Sequence, residues 1–416
     1  MTPYAGLVYF LCILVLLCPM LLTAWVRKRS SPWWIVAATA VMLWLEYASS
    51  TVDLTASIRV PEMFTLAGFG LYQWILLRLA LNVKAFKKSW ILVPLSILPL
   101  TLLKYPIGHG YHFGFTGISY ATFRVLDVLW SITDGVLAEV GAVDLFLFLF
   151  FFPTLSSGPI DRFRRFRTDW RRTRTWDEVV EDLNAGIPMV FRGLLYKYVI
   201  ATLIERHIMN HAEFGTYLHG AVYYAYTYSA HLFFDFAGYS AFAVGVSRWF
   251  GVRSPENFRQ PWGAPNIREF WNRWHISLSM WFRDHVYMRF VLMVRRKKWI
   301  KNPDVTSALG YFVSFGTMGV WHGHHYLKYG LYHAVLFAVF EWWTRVRKRH
   351  PTWCNGIAWK WTAHFLTIQA VVFGLYLFSG HPWRTKTDEE KRLAAEAKAE
   401  SQARAEAKAK AQQVEP

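Results

Sequence analysis

Cysteine, acidic residues and several catalytic signature motifs are scarce or missing in this chain of 416 residues. Its three cysteines, Cys12, Cys18 and Cys354, are too few and too irregularly spaced for a disulfide framework or a metal site. There is no Gly-x-Ser-x-Gly motif and no P-loop, which argues against a serine hydrolase of that type and against a P-loop nucleotidase. Only 28 acidic residues oppose 46 basic ones, so the formal net charge is +18.

Several long stretches lack charge altogether, although the chain as a whole is strongly basic. No Asp, Glu, Lys or Arg lies within Tyr4–Val26, Val305–Leu327 or Trp361–His381. Such runs match the roughly 20 apolar residues that a helix needs to cross a hydrocarbon layer about 30 Å thick. We therefore expect an all-α, polytopic membrane protein of roughly 9–12 transmembrane helices, with re-entrant or interfacial helices around a central cavity. The first run has no preceding basic region and no cleavage pattern after it, so we expect a retained helix.

The basic residues are concentrated in short segments between the apolar runs. These segments are Arg27–Arg29, Lys84–Lys88, Arg162–Arg174, Arg295–Lys301 and Arg345–Arg349. The segment Thr51–Glu62, by contrast, has Arg59 as its one basic residue. By the positive-inside rule, the basic segments lie in the cytoplasm and the N-terminus lies outside. A basic cytoplasmic face favours anionic lipid and an acidic soluble partner rather than nucleic acid.

Hydropathy and turn residues divide the chain into a membrane domain, residues 1–383, and a tail, residues 384–416. We expect helices near residues 4–26, 33–52, 63–82, 90–104, 186–208, 217–249, 276–294, 305–322, 326–344 and 357–380, with a further apolar run at 145–160. The stretch 105–123 predicts a re-entrant element, 161–175 an amphipathic basic segment, and 251–273 irregular structure at the interface. The tail is rich in Ala, Lys and Glu, which predicts a solvated, partly helical extension.

Two histidines are the main candidates for chemistry. His322 lies in a membrane-length apolar run, where an ionisable side chain is a functional candidate by default. The adjacent Gly323 allows close backbone approach, and Trp321 supplies a rigid wall. His275 ends the polar cluster "REFWNRWH", which also contains Asn272. Packing histidines bonded to carbonyl groups, or an interfacial anchor of Trp and Arg, are the alternatives.

The chemistry of imidazole suggests what such a pair could do. Its pKa lies near the working pH, so one neutral imidazole can take a proton from a hydroxyl, while a second orients it or stabilises a developing oxyanion. Asp235 in "LFFDFAGYS" and Arg124 in "SYATFRVLD" are further polar residues in apolar surroundings, and we expect the carboxylate to pair with an arginine, for which Arg124 is a candidate, or with a backbone donor. An enzyme, a transporter with a His/carboxylate proton relay, and an envelope-assembly scaffold all stay open on these residues, and we expect no metal.

Motifs in sequence order narrow these alternatives. The stretches "TGISYATFRVLDVL", "FFPTLSSGPIDRF", "LFFDFAGYSAFAVG", "EFWNRWHISLSMWFRD" and "GVWHG" resemble the membrane-bound O-acyltransferase family over roughly residues 117–378. The resemblance implies that His322 and His275 are the catalytic pair of a bacterial cell-membrane enzyme. "SGPIDRF" and "WFRDHVYMR" are most similar to the D-alanyl-transferring branch, and alginate-type O-acetyltransferases are the alternative within the family.

That branch implies a donor, an acceptor and a set of lining residues. The donor would be D-alanine held as a thioester on the phosphopantetheine of an acidic cytoplasmic carrier protein, with no permanently bound cofactor. The acceptor hydroxyl would arrive at the extracellular side, from a partner of the D-alanylation pathway or from the polymer. As candidates for lining the tunnel we take Trp321, Asn272, Trp274, Ser277, Asp235 and Arg124. As candidates for docking the carrier we take Arg162, Arg164, Arg165, Arg295 and Arg296.

Overall fold

The computed structural model describes residues 3–4, 6–48, 50–55, 58–83, 86, 89–105, 114–209 and 218–383. Within these ranges the chain forms sixteen α-helices and one antiparallel hairpin. The helices are α1 (Leu7–Arg27), α2 (Trp33–Tyr47), α3 (Glu62–Asn82), α4 (Ser89–Lys104), α5 (Ile118–Thr133), α6 (Ala142–Phe150), α7 (Phe152–Leu155), α8 (Phe163–Arg171), α9 (Trp176–Leu194), α10 (Leu218–Trp249), α11 (Ile267–Trp271), α12 (Ile276–Phe282), α13 (Met288–Lys297), α14 (Pro303–His322), α15 (Leu327–Arg349) and α16 (Ile357–Phe378). The strands β1 (Thr51–Thr55) and β2 (Ile58–Pro61) lie between α2 and α3.

The helices confirm the prediction of an all-α, multi-pass membrane protein, apart from the short hairpin. In the described ranges, the segments long and apolar enough to cross a membrane are Leu7–Arg27, Glu62–Asn82, Trp176–Met209 and Ile357–Phe378. Two shorter apolar helical segments, Trp33–Tyr47 and Ile91–Lys104, accompany them. Large apolar side chains such as Leu7 and Phe365 are more than half exposed, as lipid-facing helix surfaces require. The total number of crossings stays a prediction, as does the orientation of the N-terminus.

Helix boundaries differ from the predicted ones where polar groups or proline intervene. α2 ends at Tyr47, before the predicted residue 52, because Thr51 already pairs with Pro61 in the hairpin. The apolar run at 145–160 is broken between α6 and α7 at Phe151, with Pro153 at the start of α7 where its missing N–H costs nothing. In the predicted re-entrant stretch, residues 106–113 lie outside the described residues, and α5 begins at Ile118. The tail 384–416 also lies outside the described residues.

The structure starts α9 ten residues before the helix predicted at 186–208. Thr175 caps this helix: its Oγ1 accepts the N–H of Glu178 (3.3 Å), and the Glu178 carboxylate accepts the N–H of Thr175 (2.8 Å). This capping box is readable in "TWDE" as a helix start signal. Beyond Leu194 the chain continues in π-helical turns at Leu195–Ala201 and Ile204–Met209.

Both ends of α14, the helix that carries His322, are fixed by its own sequence. The side chain of Asn302 accepts the N–H of Asp304 (2.8 Å), and Pro303 follows in the first turn. The helix ends at Gly323, whose φ of +140° is a conformation that favours glycine. His322 is therefore the last helical residue, with the chain turning away directly after it.

α14 and α15 cross at glycines. A Cβ added to Gly330 of α15 would lie 2.2 Å from the carbonyl oxygen of Phe315 in α14, and one added to Gly319 would lie 2.7 Å from the carbonyl oxygen of Tyr326. Small residues let helix backbones approach closely, which is a common packing mode in membranes. This contact fixes where the last turn of α14, and thus His322, lies against α15.

Candidate active site

His322 is surrounded by aromatic rings. The ring centroids of Trp321 and Phe378 lie 4.2 Å and 5.1 Å from that of His322. The Trp321 ring in turn contacts Phe123 of α5 (4.9 Å), so α5, α14 and α16 together form the wall of the site. The indole Nε1 of Trp321 is buried and has no hydrogen-bond partner among the described residues.

His275 is buried between α11 and α12 in a left-handed conformation, with φ +42° and ψ +51°. A non-glycine residue in this region costs on the order of 1–2 kcal/mol, so the surrounding structure must hold it there. Backbone hydrogen bonds on both sides do so: Arg259 N–H donates to the Arg273 carbonyl (2.9 Å), and Ile276 N–H donates to the Asn257 carbonyl (2.9 Å). The fixed backbone therefore sets the direction in which the His275 side chain leaves the chain.

That the two imidazoles form one site stays a prediction, which an electrostatic effect of His322 on His275 supports. The edge of the His275 ring meets Phe236 of α10, with centroids 4.7 Å apart, and its Nε2 is buried without a hydrogen-bond partner in the described part of the chain. A buried nitrogen without a partner is costly unless it serves a ligand or a bound water. The pair can therefore offer a proton acceptor and an additional polar atom to a substrate.

A cavity of about 340 Å³ lies along α14, and neither histidine is among the residues that line it. It is lined by Arg268, Trp271, Asn272, Ser279, Met280, Phe282, Arg283, Tyr287, Tyr311, Ser314, Phe315, Met318 and Phe337. At one end the Tyr287 hydroxyl is hydrogen-bonded to Ser307 near the start of α14 (2.6 Å). At the other end Met318 lies about one helical turn before His322. The α14 part of the cavity lining therefore runs from Tyr311 to Met318, on the helix that His322 ends.

Comparison with known proteins identifies the family. The family model of membrane-bound O-acyltransferases matches residues 7–379. The chain belongs to this family. It is 39% identical over 406 residues to the teichoic acid D-alanyltransferase of Bacillus subtilis (strain 168), covering 92% of this chain and 99% of that protein. The corresponding protein of Lacticaseibacillus rhamnosus is 34% identical (91% and 97% covered), and a probable alginate O-acetylase of Pseudomonas fluorescens is 29% identical (82% and 64% covered).

The protein is thus a membrane-bound O-acyltransferase, and the family supports neither the transporter nor the scaffold alternative. Among the candidate lining residues of this acyltransferase, Asn272 lines the cavity and Trp321 contacts His322. Trp274 is buried, stacks on Phe270 (5.5 Å) and is not among the residues that line this cavity.

Ser277 and Arg124 hold backbone in place. The Ser277 hydroxyl donates to the Asn257 side chain (2.6 Å) and accepts the Ile160 N–H (2.9 Å). The fully buried Arg124 guanidinium donates to carbonyl groups where α6 ends, at Phe148 (2.9 Å), and to the Thr154 carbonyl in α7 (2.7 Å). Both contacts stabilise elements next to the site. A direct role of either residue in lining a tunnel stays a prediction.

Asp235 is paired with a lysine rather than with the expected arginine, since Arg124 donates to carbonyl groups instead. Its partner is Lys197, in the first π-helical turn after α9. The next residue, Phe236, is the ring that contacts His275. The ion pair thus links the π-helical turn after α9 to α10, at the residue before the ring that contacts His275.

The predicted docking arginines fall into two groups. Arg162 and Arg165 are held in ion pairs within the acyltransferase. Their partners are Asp127 (2.8 Å) and Asp284 (2.6 Å) for Arg162, and Asp161 and Asp169 (3.0 Å) for Arg165. Arg164, Arg295 and Arg296 are exposed, and no ion-pair partner is found for them among the described residues. These three are the docking candidates whose charge is still available to a partner.

Sequence reasoning missed two features of the site. Lys104 ends α4, and its ammonium donates to the Trp321 carbonyl and lies 4.8 Å from the centroid of the Trp321 ring. Its signal was a single charge closing an uncharged run. The cavity wall on α14 is formed by residues that share one helical face with His322, namely Tyr311, Ser314, Phe315 and Met318. The helical spacing of these residues relative to His322 could have been recognised in the sequence.

Proposed function

We propose that this acyltransferase transfers D-alanine from a carrier-protein thioester to a hydroxyl on the extracellular side of the membrane, for the D-alanylation of teichoic acid. Two relatives that bear the name teichoic acid D-alanyltransferase match over almost their entire length, which supports this substrate class. The observation that carries the mechanism is a cavity along α14 whose last lining residue on that helix, Met318, lies about one turn before His322.

The cavity has a suitable shape and lining for the thin arm of a carrier protein. Its walls are mainly aromatic and aliphatic, with a few polar groups, as is usual for small-molecule sites. Two guanidiniums, of Arg268 and Arg283, lie in the lining, and although each also pairs with a carboxylate, of Glu341 and Asp284, they are the cations that the phosphate of a phosphopantetheine arm would meet there. The Glu341 carboxylate accepts hydrogen bonds from Arg268 and from the Tyr311 hydroxyl (2.9 Å), which orients both side chains. The carrier binds on the cytoplasmic side in this proposal.

The chemistry is a proton-assisted acyl transfer. His322 removes the proton from the acceptor hydroxyl, and the oxygen attacks the thioester carbonyl carbon. A C–O ester bond forms, the C–S bond breaks, and the departing thiolate takes the proton back from the imidazolium. His275, through its unpartnered Nε2, hydrogen-bonds the carbonyl oxygen or orients the substrate. Because thiolate is a good leaving group, no further acid is needed.

The decisive experiment compares three His→Ala variants in purified, detergent-solubilised protein. With carrier protein bearing radiolabelled D-alanine, His322→Ala is expected to slow loss of the thioester by about 10²–10⁴-fold, as for removal of a general base. His275→Ala should also slow it. His350→Ala is the matched control, because His350 is exposed after the end of α15 and stacks on Trp353 (4.2 Å). Normal turnover by folded His322→Ala protein that still binds the carrier would overturn the mechanism.

A second experiment tests the cavity as the donor slot. Ser314→Phe places a ring in the cavity, whereas Val313→Phe places the same ring on the partly exposed neighbouring face of α14. We expect the first variant to lose turnover while still binding the carrier, and the second to behave like the unmodified protein. Equal turnover of both variants would move the donor arm elsewhere.

The alternative within the family is acetyl transfer to a polysaccharide, which the alginate relative favours. Supplying the protein separately with D-alanyl carrier and with acetyl donors distinguishes the two. Transfer of acetyl groups alone would replace the D-alanyl proposal and leave the roles of the histidines unchanged.

A further inference from the structure

We propose that the acyltransferase binds an anionic phospholipid at the junction of α2, α3, α6 and α8, remote in sequence from the histidines. A polar cavity of about 530 Å³ at this junction is lined by side chains that include Arg78, Glu139, Asp144, Arg167 and Arg171. This junction lies at the end of the molecule that the basic segments predict to be cytoplasmic. The proposal does not depend on the acyl group that the enzyme transfers.

Two of the three guanidiniums in this cavity are available to a ligand. Arg171 is neutralised by Asp144 through two hydrogen bonds, from Nε (2.8 Å) and Nη2 (2.7 Å). Arg78 lies over the ring of Trp74 (5.5 Å) and Arg167 over that of Phe163 (5.7 Å), and the described residues provide neither with a carboxylate partner. Glu139 is the remaining acid, so three cations face two anions and the cavity favours an anionic group.

An adjoining cavity of about 560 Å³ gives the site an apolar half. It shares Gly141, Asp144 and Arg171 with the polar cavity and continues along Pro32, Trp33 and Val143. Guanidiniums next to an apolar groove suit an amphiphilic ligand. Its phosphate would bind the guanidiniums, and its first acyl carbons would lie in the groove. An inorganic or sugar phosphate would use the polar half alone.

The surrounding helices are typical of a membrane interface. α8 is a short basic helix whose apolar residues Phe163, Phe166 and Trp170 are buried, and such helices lie in the interfacial plane. Trp33, at the start of α2, is 59% exposed and packs edge-on against Trp170 (6.2 Å). Tryptophans concentrate at the headgroup level of membranes. The two cavities therefore lie where lipid headgroups are expected.

The test measures lipid binding to the full-length protein in detergent by native mass spectrometry. Phosphatidylglycerol should bind in preference to phosphatidylcholine, and sn-glycerol 3-phosphate, the soluble headgroup analogue, should bind much more weakly. The double variant Arg78→Gln, Arg167→Gln should weaken phosphatidylglycerol binding by about 10- to 30-fold. Lys348→Gln with Arg349→Gln removes the same charge from the exposed end of α15 and should leave binding unchanged.

A second variant keeps the proposal testable if the double variant folds poorly. Trp33→Ser alters an exposed side chain of the apolar half, so it should weaken phosphatidylglycerol binding and leave sn-glycerol 3-phosphate binding as it was. Three results would overturn the proposal: phosphatidylglycerol binding that survives both sets of substitutions, equal binding of phosphatidylcholine, or binding of glycerol phosphate as tight as that of the lipid.

Discussion

Buried polar groups near His322 and buried polar groups near Asp182 differ in whether oppositely charged side chains surround them. At the histidines, Nε2 of His275 and Nε1 of Trp321 have no hydrogen-bond partner in the described structure. At the start of α9, the fully buried Asp182 is surrounded by three guanidiniums. These are Arg174 (3.1 Å), Arg253 (3.3 Å) and Arg248 (3.5 Å). In the first region these polar atoms lack partners, whereas in the second opposite charges compensate one another, although Oδ1 of Asp182 and Nε of Arg248 make no hydrogen bond in the described structure.

Removing the carboxylate of Asp182 should disrupt the arginine cluster around it and cause the largest loss of stability among these predictions. Asp182→Ala leaves Arg174, itself only 4% exposed, without its carboxylate. Breaking a buried ion pair from one side costs about 3–5 kcal/mol, so we expect a loss of that order in the free energy of unfolding, measured in detergent micelles.

The adjacent Glu181 is the matched control, because its side chain is 67% exposed and lies 4.0 Å from Arg253. Exposed pairs contribute about 0–1 kcal/mol, so Glu181→Ala should hardly change stability. Similar losses in the two variants would mean that the arginine cluster does not hold α9.

The backbone contact that positions His322 should be the next most sensitive. Gly330→Ala adds a methyl group 2.2 Å from the Phe315 carbonyl oxygen, so α14 and α15 must separate. Overpacking of this kind typically costs about 1–3 kcal/mol, and the shift should also lower turnover because it moves the end of α14.

Gly316→Ala offers a control on α14 itself, since a Cβ at that position meets no atom within 4 Å. This change should leave packing intact and stabilise the helix by about 0.5–1 kcal/mol. If both glycine variants kept full stability and turnover, the close crossing would not be what positions His322.

Two tryptophans near the site differ in whether the indole N–H is hydrogen-bonded. Replacing either should have a smaller effect than the glycine substitution. Trp281 Nε1 donates to the Phe123 carbonyl (3.1 Å), whereas Trp321 Nε1 has no described partner. Trp281→Phe should cost about 0.5–1.5 kcal/mol in unfolding free energy, because it removes a buried hydrogen bond, while the Phe123 carbonyl stays within helix α5. Trp321→Phe should lose less stability and relatively more turnover. Loss of stability without loss of turnover in Trp321→Phe would assign that indole to packing alone.

The same contrast explains what could be predicted from the sequence. α14 and α16 were evident because an uncharged run of membrane length is typical of a membrane helix, and His322 was conspicuous within it. The contact of Lys104 with Trp321 joins residues 217 positions apart, and no local pattern reports such a pairing. The arginines of 162–174 were recognisable as basic but not as neutralised, because the aspartates that pair with Arg162 come from α5 and from the turn after α12.

Whether an arginine is already neutralised by an aspartate leads to the last prediction, which concerns carrier binding and has the smallest expected effect. Charge reversal at Arg295 and Arg296, both exposed, should weaken association with an acidic carrier several-fold at low salt, and the effect should fade as salt screens it. Charge reversal at the exposed Arg164 should act in the same direction. At Arg165 the same reversal would chiefly disturb its pairs with Asp161 and Asp169, so it should reduce stability more than it reduces salt-dependent binding. Binding by surface plasmon resonance over a salt series, with unfolding measured in parallel, separates the two effects. A salt-dependent loss at Arg165 with none at Arg295 and Arg296 would place the carrier on α8.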